Sequence, residues 1–332
     1  MKNQEALSAD VHAEAIVIDG LQISKFDRPV FEALSAGGLT AVNATVAVLE
    51  GFRETITTIA EWHRLFEENH SLITPVRSVD DIRRAKEAGK VGIIFGFQNT
   101  SPIEDDLRLL SIFKELGVRV IQLTYMERNY VGDGCLERTN CGLSEFGLEV
   151  IEEMNRLGLL IDLSHVGDRT TMEAIEASEK PVAFTHANPR SLHDHPRNKT
   201  DEAIQALADK GGVIGANIFP PFLATGSQAT VEDVVDVIDY LVDLVGVNHV
   251  GIGTDFTEGQ PREVFDYWLT GKSGKGPRMP LDYPIVNPQG IRSAADFPNL
   301  TEALISRGYP TSEVKKILGG NWMRLFEEVW TD

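Results

Sequence analysis

The sequence predicts a TIM-type (β/α)8 barrel. Three features point there: eight short β-branched runs, amphipathic helical stretches between them, and glycines where several of those helices end. Strands alternating with helices pair in parallel through right-handed crossovers, and eight such units close a barrel more readily than an open sheet.

The strand-like runs cover residues 15–20, 40–48, 91–97, 118–124, 159–164, 182–186, 213–217 and 249–254. The helical stretches cover 53–69, 79–88, 103–116, 144–157, 169–178, 201–210 and 231–245. In them Leu, Ile, Val and Ala recur at three- and four-residue spacing, with Glu, Lys and Arg opposite, the pattern of a helix with one buried face. Gly117, Gly158 and Gly211-Gly212 follow helices directly, where the left-handed conformation ends a helix. No Gly-x-Gly-x-x-Gly follows the first strand, which argues against a dinucleotide-binding sheet. Residues 257–296, rich in Gly, Pro and aromatics, read as a long irregular loop over the barrel mouth, a lid or dimer contact. Residues 311–330 read as closing helices around Gly319-Gly320-Asn321, and the whole chain, 1–332, reads as one barrel domain.

Lys plus Arg number 31 against 50 Asp plus Glu, a net charge of −19. Such a surface repels phosphates and anionic lipid, so neither nucleic acid nor membrane is an expected partner. The polar N-terminus lacks a signal-peptide core, and no run reaches the roughly 18 apolar residues of a membrane span. Cys135 and Cys141 fit no zinc-ribbon spacing and read as reduced thiols. These features together suggest a cytoplasmic protein with a small-molecule substrate.

In a (β/α)8 barrel the reactive groups sit at the C-terminal strand ends. Three of those ends read Leu163-Ser164-His165, Phe184-Thr185-His186 and Gly253-Thr254-Asp255. Imidazoles are good Zn²⁺ ligands, and a nearby carboxylate can serve as ligand or proton carrier. One such histidine alone is more often structural, hydrogen-bonded to a loop carbonyl; two on adjacent strands tilt the reading toward function. Arg197, in His195-Pro196-Arg197-Asn198, has the chemistry to grip a carboxylate, although taken alone an arginine before a helix is more often a surface residue. Tyr125 and Asn129 sit after the 118–124 strand and bring a phenol and an amide to the mouth.

Taken together, these segments resemble the membrane dipeptidase family, renal-dipeptidase-like metallopeptidases of family M19. The matching stretches are 142–147 (GLSEFG), 155–165 (NRLGLLIDLSH), 184–186 (FTH), 195–198 (HPRN), 251–256 (GIGTDF) and 320–326 (GNWMRLF). The resemblance implies a two-zinc amide hydrolase and a homodimer. It implies His165 and His186 as metal ligands, Arg197 on a substrate carboxylate and Asp255 in proton transfer. It also exposes departures. Leu21 and Ile23 stand where the family carries a His-x-Asp metal pair. Gln98 replaces the bridging glutamate, and Tyr125 replaces a substrate-binding histidine. A binuclear zinc site is therefore not expected; one Zn²⁺ or other divalent ion on His165 and His186 remains open. Three readings follow. The first is a dipeptidase-like hydrolase with one metal or none. The second is a metal-independent acid/base enzyme acting on a small carboxylated amine. The third is a non-catalytic binding protein. In the first reading His165 and His186 hold metal and Asp255 moves the proton. In the second His165, His186 and Asp255 are acid/base groups without metal. In both Tyr125 is catalytic, while Arg197, Gln98 and Asn129 contact substrate.

Overall fold

A computed structural model describes residues 2–270, 279 and 283–330. Nine parallel strands run β1 (Ile18–Gln22), β2 (Ala41–Ala47), β3 (Ile73–Val76), β4 (Val91–Phe97), β5 (Val118–Gln122), β6 (Leu160–Asp162), β7 (Ala183–Phe184), β8 (Val213–Ala216) and β9 (Val250–Ile252). Pairing runs β2-β1-β9-β8-β7-β6-β5-β4, and β2 also pairs with β4, so these eight strands close on themselves. They are the eight runs expected from the sequence.

The ninth strand, β3, was not expected. It pairs with residues 91–94 of β4, and β5 takes over that edge from Phe95. Pro75 interrupts its pattern, and a proline donates nothing to a ladder, which confines such strands to edges. Four helices also go beyond the sequence reading: Lys2–Glu14, Arg28–Ala36, Arg262–Thr270 and Phe297–Arg307. The first has no continuous apolar stripe. It is held by His12, whose ring nitrogens meet Thr301 Oγ1 at 2.6 Å and the Gly37 carbonyl at 2.8 Å. The second starts at Asp27, whose carboxylate accepts from the Val30 N–H, with Pro29 in the first turn.

Residues 257–296 are thus not wholly irregular. They contain the Arg262–Thr270 helix and a 3-10 turn at Ala294–Asp296. Residues 271–278 and 280–282 of that stretch lie outside the described residues.

The closing helices form as expected, Thr311–Lys315 and Asn321–Val329, joined through a wide turn at Lys316–Gly320. They plug the end of the barrel opposite the mouth. Ile18, Ala41, Ile94, Val120, Leu160, Ala183 and Val213, one from each of seven strands, pack in one cluster with Trp322. Trp322 is fully buried, and its indole N–H donates to the Ile252 carbonyl at 3.1 Å. Glycine is required beside it, since a Cβ on Gly251 would stand 2.5 Å from the indole nitrogen. Removing this plug leaves a large cavity and an unpaired carbonyl. Trp322→Ala should therefore cost about 3–5 kcal/mol, read as a lower urea midpoint at unchanged slope.

Candidate active site

Two buried carboxylates at the strand ends organise the mouth. Asp162, closing β6, accepts from Ser164 N (3.0 Å), Ser164 Oγ (2.6 Å), Thr185 N (3.0 Å) and Thr185 Oγ1 (2.7 Å). Asp19 in β1 accepts from Thr254 N (2.8 Å) and Thr254 Oγ1 (2.5 Å) beyond β9, and from Gln22 Nε2 at 2.8 Å. Each acid joins neighbouring strands where the ladder ends, and in doing so orients the residue that follows: His165 and His186 in the first case, Asp255 in the second. Burial nevertheless outweighs these donors and pushes both carboxyls upward, Asp19 to about 6.

The same bonds fix the histidine tautomers. Thr185 Oγ1 gives its proton to Asp162, so it accepts from His186 Nδ1–H at 2.7 Å. His186 Nε2 is then a bare lone pair, and it accepts from His165 Nε2–H at 3.0 Å. His165 Nδ1 remains a buried acceptor without a protein partner. Burial, with the positive charge of Arg197 nearby, holds both imidazoles well below their ordinary value of 6.5. Both are neutral at physiological pH.

Asp255 follows β9 with φ of 59°, a left-handed conformation uncommon for a residue with a side chain. Its N–H donates to the Leu21 carbonyl at 3.0 Å, and Asn217 Nδ2 donates to its Oδ2 at 3.3 Å. The Asn217 amide has one orientation, because its Oδ1 accepts from Phe219 N at 2.6 Å. Burial raises the Asp255 carboxyl to about 7, with the Arg197 guanidinium and Asn217 opposing.

A small, partly open pocket lies above these groups. His165, Asp255, Gln98, Tyr125 and Ile23 line its floor and wall, while Phe265, Trp268, Leu269 and Met279 cover it from the 257–296 stretch. Tyr125 stacks on His165 at 4.3 Å between ring centroids, and burial raises its phenol, which stays protonated. Gln98 Nε2 donates to Thr45 Oγ1 at 3.0 Å, which leaves Oε1 as its free acceptor. His186 lies behind His165, fully buried.

Two residues expected against substrate take other positions. Arg197 is 1% exposed and lies outside the cavity lining. Its terminal nitrogens donate to the Ser164 carbonyl (2.7 Å) and the His186 carbonyl (2.6 Å), while Nε has no partner. Asn129 staples its own loop: Nδ2 donates to Asn99 Oδ1, Thr100 Oγ1 and the Leu123 carbonyl, and Oδ1 accepts from Val131 N and Gly132 N. It borders a separate outer groove. The sequence reading missed Asp19, Asp162, Thr185 and Asn217. An aspartate inside an otherwise apolar strand, as in Leu160-Ile161-Asp162, was the available signal.

These donors do not fit a two-zinc centre. Leu21 and Ile23 offer no lone pair and Gln98 no charge, and among the described residues no three His, Cys, Asp or Glu side chains group as ligands. A single ion would have two imidazoles to hold it, those of His165 and His186, whose Nε2 atoms lie 3.0 Å apart.

A closed parallel barrel with its polar groups gathered at the strand ends defines the class, a metallo-dependent-hydrolase-type barrel. The chain belongs to the membrane dipeptidase family (peptidase family M19), whose profile it matches over residues 30–267 and 282–331. It is similar to dipeptidase tcpJ of Claviceps purpurea, 30% identical over 83% of this chain and 60% of that protein. Dipeptidase 3 of Mus musculus is 30% identical over 76% of this chain and 47% of that protein. The chain thus spans about three fifths of the length of the first curated relatives it matches. Among solved structures, an amidohydrolase from Pseudomonas aeruginosa superposes with a TM-score of 0.95 at 46% identity, covering 98% of this chain and 99% of that one. A metallopeptidase from Rhodobacter sphaeroides, liganded with a phosphinate mimic of L-Ala-D-Ala, shares the fold at TM-score 0.80 and 21% identity, covering 96% of this chain and 100% of that one.

The raised carboxyl of Asp255 carries a stability signature. The folded chain keeps that proton up to about pH 7, whereas the ordinary value is 3.8. Between those values the unfolded chain binds fewer protons than the folded one, so this group lowers stability as pH rises, and the loss levels off above about 7. Asp255→Asn, which removes the ionisation, should raise the thermal midpoint at pH 8 by several degrees and progressively less toward pH 4. A gain independent of pH would show that Asp255 ionises at its ordinary value.

Proposed function

We propose that this chain is a dipeptidase-like hydrolase that cleaves a small amide by acid/base chemistry centred on Asp255, without a resident two-zinc centre. The observation that carries this reading is Asp255 itself, poised near neutrality on the floor of a partly open pocket beside neutral groups. Its ionised form takes a proton from an attacking water. The same proton then passes to the departing nitrogen, so that amide plus water gives acid plus amine. A carboxyl half-ionised near pH 7 can both accept and return that proton. The protonated Tyr125 phenol is a donor for the substrate carbonyl oxygen, and Gln98 Oε1 is an acceptor for its N–H. The aromatic cover excludes bulk water, which strengthens these bonds. Membership of the dipeptidase family supports amide hydrolysis as the reaction class.

The test is turnover of a panel of dipeptides and small amides by metal-stripped and metal-supplemented protein. Asp255→Asn should lower kcat by 10²-fold or more, and chelator should leave kcat of the wild type unchanged. About one zinc per chain, lost in His186→Ala together with activity, would overturn the metal-free mechanism in favour of a single-ion hydrolase. A panel that yields no turnover under either condition would count against hydrolysis altogether.

A further inference from the structure

Resting on the hydrolase reading above, we propose that Asn217 is a positioning residue for the Asp255 carboxylate and is itself held in place by Asn188. Asp255 has a φ of 59°, which local backbone preference does not favour, so bonds from elsewhere in the fold must set its direction. Its carboxylate accepts from Asn217 Nδ2, 3.3 Å from Oδ2. Asn217 stands one residue past β8, fully buried, between the ends of β7 and β9. Its two amide hydrogens meet two acceptors, Asp255 Oδ2 and the His186 carbonyl, each at 3.3 Å. One side chain thus ties three consecutive strand ends together.

Asn188, buried two residues beyond His186, fixes the backbone from which Asn217 reaches out. Its Oδ1 accepts from the Asn217 N–H at 2.8 Å, and its Nδ2 donates to the Asn217 carbonyl at 2.9 Å. The same Nδ2 donates to the Phe222 carbonyl at 3.3 Å. Turning either amide over would set nitrogen against a donor and oxygen against a carbonyl, a costly exchange for buried groups. Neither asparagine lines the pocket, so both act through Asp255 and not on substrate. A carboxylate held by one oxygen cannot swing about its Cβ–Cγ bond. For a group that takes a proton from water and returns it to a nitrogen, that fixed direction is what raises the frequency of productive geometry.

The test is a double-mutant cycle on the full chain, read as the urea midpoint at pH 8. Asn217→Asp keeps the acceptor for the Phe219 N–H and replaces only the donor, which sets two carboxylates against each other. Asp255→Asn in that background restores an amide–carboxylate pair with its ends exchanged. Its gain in midpoint should be roughly twice or more the gain it gives in the wild type. If Asn217→Asp does not fold, Asn217→Ser takes its place, since it also removes the donor, and Asp255→Asn should again gain more there. Equal gains in both backgrounds overturn the assignment. On an amide that the panel turns over, Asn217→Ser should lower kcat about tenfold or more while KM stays within about twofold. Adding Asn188→Ala should lower kcat little further. Unchanged kcat, or a loss confined to KM, overturns the positioning role, and full additivity overturns the place of Asn188 behind Asn217. The hydrolase reading fails separately: unequal gains in the cycle without turnover of any dipeptide or amide would sink that reading and leave the Asn217–Asp255 assignment standing. Turnover with equal gains would do the reverse.

Discussion

The mouth of this barrel depends on carboxylates buried where the strands stop. A parallel ladder leaves its last N–H groups unpaired, and Asp162 and Asp19 collect those of the neighbouring strand ends together with the adjoining hydroxyls. Such acids are costly to bury, as their upward displacement shows. They stand among apolar strand residues and fix the side chains that follow. His165 and His186 follow the Asp162 bonds, and Asp255 follows the Asp19 bonds. Hydrogen bonds between strands, Thr185 to Asp162 and Thr254 to Asp19, join local ones from Ser164 to Asp162 in setting these orientations.

The functional consequence is a floor of polar groups kept uncharged. Burial lowers both imidazoles, raises the Tyr125 phenol, and brings the Asp255 carboxyl into the neutral range. Arg197, tucked beneath, supplies a fixed positive charge and supports the Ser164 and His186 carbonyls. The cover from the 257–296 stretch is part of the same arrangement, since its aromatic side chains enclose the low-dielectric space that displaces these groups. Leu21 and Ile23, at the end of the first strand, offer this floor no donor for a metal ion.

Much of the fold was legible in the sequence because each barrel strand is fully buried and reads as a β-branched run, while each outer helix shows one apolar face. The strand β3 escaped because Pro75 breaks its pattern, and the helix Lys2–Glu14 because its residues show no apolar stripe. At the site, residue type and strand position pointed to His165, His186, Asp255 and Tyr125, and the family resemblance added Gln98. The structure sets His165, Asp255, Gln98 and Tyr125 around one pocket, with His186 buried behind His165. The same reasoning placed Arg197 and Asn129 against substrate, where the structure gives their bonds to the protein itself. A side chain's type shows which bonds it can make; its neighbours decide which it makes.

The sequence by itself determined the barrel, the family and the strand ends that face the mouth. The barrel and its ends follow from local periodicity, and the family from a set of short matching motifs. Only the tertiary structure decided the tautomers of the two histidines, the displaced carboxyl of Asp255, the commitment of Arg197 and the apolar cover of the cavity. Each of these depends on distances and burial between residues far apart in the chain, such as Asp19 and Thr254, or Asp162 and Thr185. Electrostatic energies vary steeply with both, so the positions had to be known before the chemistry could be read.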